Sequence, residues 1–292
     1  MEIRLLKYFL MVAREEGITR AAEILHITQP TLSRQMVQLE EEVGTKLIIR
    51  GAKKISLTSE GMLFKRRAEE ILALVDKTAA ELKSTDKLVS GTITIGSGVL
   101  AASFTLAELI KSFHQKYPHV AFDIFTANAD VVREQMENGL IDIGVLLEPI
   151  DIVSFDFVRL EKKESYSVIM RADDCLAKKD SIKARDLIGK TVILPRRANV
   201  QNEINHYLGA VLKKLRVIAT SNFSTNAAIM VEKGMGYSIC ISGAVPFMDK
   251  NILIEKPLNP PLTSTSVIAW KRHPMQNIAT AKFIEHIKEN VN

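Results

Sequence analysis

Apolar residues recur at helical spacing through roughly the first ninety positions, and in short runs between helical stretches after that. Leu6, Phe9, Leu10 and Ala13 fall at i, i+3, i+4 and i+7, one face of an amphipathic helix. Gly17 stops that helix, and Thr19 is placed to cap a second, TRAAEIL, whose Ala21 and Ala22 allow close helix contact. After the turn HIT, Thr28 is placed to cap a third helix, with Pro30 in its first turn where a missing N–H costs nothing. This helix turns Leu32, Met36, Leu39 and Val43 inward and leaves Gln29, Thr31, Ser33, Arg34, Gln35 and Gln38 on its other face, until Gly44 ends it.

KLIIR-GAKK-ISLT then reads as a hairpin with lysines at its tip. Thr58 opens a long helix reaching about Lys83, along which Phe64, Ala68, Ile71, Val75, Thr78 and Leu82 keep the 4-3-4-3-4 spacing of a coiled-coil seam. A helix packed on its own domain would show the same stripe; the helix's length, with no second apolar face of similar quality, favours a dimer seam. Beyond Ser90-Gly91 the texture changes to strands (TITIGSG, VAFDIF, IDIGVLLE, YSVIM, TVILP, RVIATS, YSICI, SVIAW) separated by helical stretches, among them ARDLIG. Such alternation predicts parallel α/β units.

The 292 residues suit two or three modest domains. Net charge is only +5, and residues 1–90 hold 15 basic and 13 acidic side chains, so the bulk figure says little. The local figure says more: from Val43 to Arg67 there are seven basic residues and one acid, Glu60. No apolar run reaches the ~18–20 residues of a membrane span. MEIRLLKYFLMVAREEG, charged on both sides of a short apolar run and lacking a small-residue cleavage site, is not expected to be a signal peptide.

Two helices joined by a tight turn, the second with a polar N-terminal face, have helix-turn-helix geometry. Gln and Arg side chains there suit paired hydrogen bonds to adenine and guanine edges, while Ser and Thr hydroxyls suit phosphate oxygens. The hairpin would add Arg50, Lys53 and Lys54 along a second backbone or minor groove. An αα-hairpin used for protein contact remains the competing reading.

The matched elements Ala21-Ala22, Thr28-Gln29-Pro30, Leu32-Ser33, Leu39-Glu40, Gly44, Leu47, Arg50 and Leu57-Thr58-Ser59-Glu60-Gly61 closely resemble the winged helix-turn-helix of LysR-type transcriptional regulators. The resemblance implies an α/β protein: an N-terminal all-α winged helix-turn-helix with a long linker helix, then a two-subdomain α/β effector domain resembling periplasmic binding proteins. The expected divisions are 1–60 for DNA binding, 61–90 for the linker and dimerisation helix (Phe64, Ala68, Ile71, Val75, Leu82), and 91–292 for the effector domain. Within the last, subdomain I takes 91–161 and 265–292, and subdomain II takes 162–264. DNA contacts are expected from Thr28, Gln29, Pro30, Thr31, Ser33, Arg34 and Arg50, and from Lys53 or Lys54 where many relatives carry a wing arginine. The implied partners are a double-stranded operator, a small-molecule effector, RNA polymerase and further copies of the chain as homodimer or homotetramer, in the cytoplasm. No cofactor, metal or enzymatic activity is expected.

Four strand-to-helix turns offer free N–H groups to a ligand: Gly96–Val99, Thr126–Asn128, Leu194–Arg197 and Ser221–Thr225. By resemblance they flank the effector cleft, giving Ser97, Gly98, Val99, Thr126, Asn128, Pro195, Arg196, Asn222, Phe223 and Thr225 as candidates, with Arg196 or Arg197 suited to a carboxylate or phosphate. Enzyme motifs fail on inspection. GSGVLA resembles a dinucleotide fingerprint, but the acid due about 20 residues on is absent. Gly189-Lys190-Thr191 precedes a strand, and position 184, where the first P-loop glycine belongs, is alanine. The six histidines show no metal spacing. Cys240 reads as core, and Cys175 follows Asp173-Asp174, which oppose thiolate formation.

Overall fold

The structure, a computed structural model, describes residues 1–51, 54–83, 89–272 and 277–291. The chain divides into two compact units, Met1–Thr85 and Asp86–Asn292.

In the first unit α1 (Ile3–Glu15), α2 (Ile18–Ile24) and α3 (Gln29–Val43) surround a core of Leu5, Phe9, Val12, Ala21, Ala22, Leu32, Met36 and Leu39. The buried stripe of α1 is Leu5, Leu6, Phe9 and Val12, whereas Leu10 and Ala13 are half-buried. The shift has a cause: α1 is packed by α2 and α3 and also by α4 (Ser59–Lys83). Thr19 lies inside α2 and does not cap it. Glu16, at φ 50°, closes α1, and extended Gly17 is the residue before α2. Thr28 does cap α3, its Oγ1 accepting from the Thr31 N–H at 3.4 Å.

The hairpin forms from β1 (Ile48–Arg50) and β2 (Ile55–Leu57), antiparallel. Thr58 joins it to α4 with one hydroxyl, which donates to the Lys46 carbonyl and accepts from the Gly61 N–H, both at 2.8 Å.

The second unit holds two sheets. The first sheet has the order β4-β3-β5-β13-β6 and uses β3 (Gly91–Ser97), β4 (Val120–Thr126), β5 (Ile143–Leu147), β6 (Phe155–Arg159) and β13 (Ser266–Lys271). It carries α5 (Ala102–Lys116), α6 (Ala129–Glu137) and α9 (Ile278–Asn290). The second sheet, β11-β7-β10-β8-β9, uses β7 (Glu164–Arg171), β8 (Thr191–Pro195), β9 (Arg216–Ser221), β10 (Tyr237–Ile241) and β11 (Leu253–Pro257), with the two-residue β12 (Thr263–Ser264) also on β7. It carries α7 (Ala198–Leu208) and α8 (Ser224–Glu232). We call these lobe I and lobe II. The chain passes between them after β6 and again between β12 and β13.

Parallel pairing holds for β3 with β4 and β5, and for β8 with β9 and β10. β7, β11 and β13 are antiparallel to their neighbours, so the parallel α/β units expected from the alternation make up only part of each sheet. A parallel neighbour needs a crossover long enough to return the chain to the same end, and the direct passages between lobes do not provide one. ARDLIG forms only a 3-10 turn, Ala184–Leu187.

Candidate functional site

On α3, burial of Leu32, Met36 and Leu39 leaves Gln29, Pro30, Thr31 and Arg34 exposed at the helix N-terminus, with Ser33 and Gln35 half-buried. Among the described residues the Arg34 side chain has no hydrogen-bond or ion-pair partner. The wing stands beside this face, since Arg50 Nη2 donates to Ser33 Oγ at 3.3 Å. Lys54 is differently placed. Its Nζ sits 2.5 Å from the Glu16 carboxylate, holding the Lys54 pKa above and the Glu16 pKa below their ordinary values. The neighbouring Ile55 N–H also bonds the Glu16 carbonyl, so Lys54 anchors the wing base to the α1–α2 turn and is not a free cation. Lys53 lies outside the described residues.

A residue that sequence reasoning gave no role holds this geometry. Glu40, 7 % exposed, accepts from the Leu47 and Ile48 N–H groups at 2.9 and 3.1 Å and from Lys46 Nζ at 2.7 Å, fixing β1 to α3. Burial pushes its pKa up, but Lys46 and the two N–H donors outweigh it, and the net shift is downward from 4.5. A carboxylate depressed on folding stabilises the fold above its unfolded pKa, and that contribution fades as pH falls through the lower folded value. Glu40→Gln is therefore expected to flatten the acid side of the head's stability curve below pH 4.5. Acid denaturation followed by circular dichroism checks this; an unchanged acid limb contradicts it.

The seam assignment needs correction at Phe64 and Ala68, while Ile71 stays exposed. Phe64 packs edge-to-face on Phe9, ring centroids 5.0 Å apart, and Ala68 is 1 % exposed. These positions face α1, because the first turns of α4 lie across the head. Among the described residues of α4 the large exposed apolar side chains are Met62, Leu63, Ile71 and Leu74, and Leu63 and Leu74 lie nearly on one line (i, i+11). Val75 is half-buried, and the Leu82 side chain lies outside the described residues.

In the second unit a cleft of about 110 Å³ opens where strand ends of both lobes meet. Of the expected residues, Gly98, Val99, Asn128, Pro195, Arg196, Asn222 and Phe223 line it. Ser97, Thr126 and Thr225 do not. Ser97 is buried with its hydroxyl given to the Gly98 carbonyl at 2.9 Å, Thr126 is exposed at the end of edge strand β4, and Thr225 is exposed on α8. The wall also includes Val145 and Leu147 on β5, Tyr166 on β7, and Ser238 and Cys240 on β10. The rule that ligands gather at strand ends would have found the β5 pair; nothing local marks the others.

Tyr166 donates to Ser264 (3.2 Å), which donates to Glu203 (2.9 Å), and burial pushes the phenol up to about 12. Burial, with the Glu255 charge second, also pushes the Cys240 thiol up to about 12, so it is a protonated wall residue at neutral pH. Arg197, side chain 7 % exposed, reaches across the cleft to the Leu147 and Pro149 carbonyls, each at 2.7 Å, and to Asp130 at 3.2 Å.

The helix start that follows the fingerprint-like GSGVLA is already taken. The Ala101 and Ala102 N–H groups at the start of α5 both donate, at 2.9 Å, to the carboxylate of Glu164, so the protein supplies its own anion there. No group of metal-ligating side chains occurs among the described residues, and none of their helices is long and apolar enough to cross a membrane.

Residues 3–62 match the family described as bacterial regulatory helix-turn-helix protein, lysR family, and residues 86–292 match the LysR substrate binding domain. The HTH-type transcriptional regulator BsdA of Bacillus subtilis is 31% identical over 281 residues, covering 93% of this chain and 94% of that one. YtlI, an HTH-type transcriptional regulator of the same organism, is 28% identical over 99% of this chain and 96% of its own. Among solved structures, the LysR family transcriptional regulator CbnR superposes with a TM-score of 0.80 at 21% identity, covering all of both chains. Full-length BenM superposes at 0.55 with 26% identity, covering 100% of this chain and 95% of that one.

Proposed function

The chain belongs to the LysR family of bacterial helix-turn-helix transcriptional regulators, and on that footing we propose that it reads operator DNA with the N-terminus of α3 and is controlled by a small effector in the lobe cleft. The observation that carries the first half is the exposed row Gln29, Thr31 and Arg34 beside a wing that brings Arg50 onto Ser33. Gln29 and Arg34 suit base edges, whereas Thr28, Thr31, Ser33 and Arg50 suit phosphate. A gel shift with DNA upstream of the chain's own coding sequence tests it: saturable binding that outlasts unrelated competitor DNA is expected, and equal competition by both overturns it. Arg34→Ala is expected to cost about 1–3 kcal/mol on the operator and to relax discrimination. Equal losses on operator and unrelated DNA contradict a base contact.

Control by an effector works only if the ligand binds one arrangement of the lobes better than the other. Self-association belongs to the same proposal. Two copies pair along Leu63, Ile71 and Leu74 of α4, and a second contact uses edge strands β4 and β9, which expose Ile124, Phe125, Val217 and Ile218. Paired heads would then meet half-sites about 34–36 Å apart. Replacing Leu63 and Leu74 together by glutamate is expected to halve the assembly in sedimentation velocity, because two buried charges face each other without partners. An unchanged sedimentation coefficient overturns the α4 contact. RNA polymerase as a further partner and a cytoplasmic location complete the proposal, since both go with the operator.

A further inference from the structure

Resting on the reading of the cleft as the effector site, we propose that the effector is a small monocarboxylate with an apolar body and a neutral hydrogen-bonding group at its far end, and that lobe II alone holds its charge. The two lobes present their helix ends differently. In lobe I both ends are filled by the protein: Glu164 takes the Ala101 and Ala102 N–H groups of α5, and Asn128 Oδ1 takes those of Asp130 and Val131 in α6 at 3.0 and 3.1 Å. In lobe II neither end is filled. α7 follows Arg197 and α8 follows Phe223 with no side-chain cap on either. The N–H groups of Ala198, Asn199 and Val200, and of Ser224, Thr225 and Asn226, have no partner among the described residues. Both ends border the cleft, and such N–H groups favour an anion.

Charge fixes the valence. No Asp or Glu lines the cleft, and two arginines do. Arg197 is spent on Asp130 and two carbonyls, whereas the exposed Arg196 guanidinium has no partner among the described residues. One uncompensated positive charge remains, which matches a carboxylate better than a doubly charged phosphate ester.

Ser238 supplies the other end. It is 2 % exposed, it lines the cleft, and its hydroxyl has no partner among the described residues. Hydroxyls of buried residues are ordinarily satisfied, and this one opens on the cleft without a protein partner, so it is available to a ligand. Ser238 pairs with Ile193, three residues before Arg196, which follows the end of β8, so their backbone positions lie roughly 10 Å apart along the strand direction. The rest of the wall is largely apolar, with Val99, Val145 and Leu147 from lobe I and Leu194, Phe223 and Ile241 from lobe II. At about 110 Å³ the cleft suits a small effector.

The test uses the full chain with hexanoate, ω-hydroxyhexanoate and the uncharged hexanamide, followed by thermal unfolding and titration calorimetry. Both carboxylates are expected to raise Tm and to bind at least about tenfold more tightly than hexanamide. Arg196→Ala removes that advantage and leaves hexanamide unchanged. Ser238→Ala weakens ω-hydroxyhexanoate to the level of hexanoate and leaves hexanoate unchanged. Hexanamide binding as tightly as hexanoate, Arg196→Ala without effect on carboxylates, or no carboxylate raising Tm each overturns the proposal. Asn222→Trp, which plugs the mouth at an exposed position, separates this reading from the one beneath it. If hexanamide matches hexanoate and the plug abolishes both, the cleft stands and the carboxylate reading falls. If carboxylates bind equally well to the plugged variant, the cleft reading falls, and this proposal with it.

Discussion

Alanine at position 61 is expected to unfold the DNA-facing head at a markedly lower temperature and to remove operator binding, although the change adds only one methyl group. The Cβ would stand 2.0 Å from the Leu47 carbonyl oxygen and 2.9 Å from its carbon. Neither atom can swing aside as a side-chain tip does. Leu47 is 1 % exposed in the head core, its carbonyl accepts from the Thr58 N–H at 3.1 Å, and its own N–H is held by Glu40. Relief requires α4 and the segment leading into β1 to part, and that segment carries the wing's Arg50, which meets Ser33. Overpacking of this kind costs about 1–3 kcal/mol where side chains adjust, so a backbone clash belongs at or above the upper end. In a unit of this size that lowers Tm by roughly 10–20 °C. Calorimetry of the full chain checks it: the head transition should fall while that of the second unit holds. Gly44→Ala is the control. Gly44 has φ 73° and a Cβ there would meet nothing within 4 Å, so only strain of about 1 kcal/mol applies. A Gly61→Ala protein no less stable than Gly44→Ala contradicts the close approach.

The run Leu57-Thr58-Ser59-Glu60-Gly61 shows how far the sequence could be read. That Thr58 begins a helix is a local matter of hydroxyl and N–H spacing, and position and partner both follow from it. That Gly61 must lack a side chain depends on the Leu47 carbonyl fourteen residues earlier, which no local pattern encodes. The α4 stripe is legible in the same limited sense. Its period predicts a helix with one apolar face, but period does not name the surface that face meets, and Phe64 and Ala68 meet α1. Strand direction in the second unit was hidden for a related reason: β7 and β13 are buried apolar runs like the parallel-paired β5, β8 and β10, and only the passages between lobes reverse them. At the cleft, turns adjoining helix starts were readable, while Tyr166, Ser238 and Cys240 reach it from strands whose composition looks like ordinary core.

Glu164→Ala is expected to be the most damaging single change in the second unit. Glu164 is 1 % exposed and accepts from the Ala101 and Ala102 N–H groups at 2.9 Å and from the Ser266 hydroxyl at 3.0 Å. Those partners come from the start of α5 in lobe I and from the start of β13, beside the return passage, while Glu164 itself begins β7. One carboxylate thus satisfies the end of a lobe I helix and joins both passages between the lobes. Alanine leaves two buried donors, the Ala102 N–H and the Ser266 hydroxyl, and the half-buried Ala101 N–H without acceptors, each buried one costing about 1–3 kcal/mol, and removes the anion facing the α5 dipole. A loss of roughly 3–5 kcal/mol follows once water reaches part of the gap. Glutamine keeps one acceptor oxygen but turns an NH₂ toward an N–H, so it should recover only part of the loss. Urea denaturation of the two variants measures both. A Glu164→Ala protein within about 0.5 kcal/mol of the parent, the range of an ordinary surface substitution, would show that this carboxylate does not hold the lobes together.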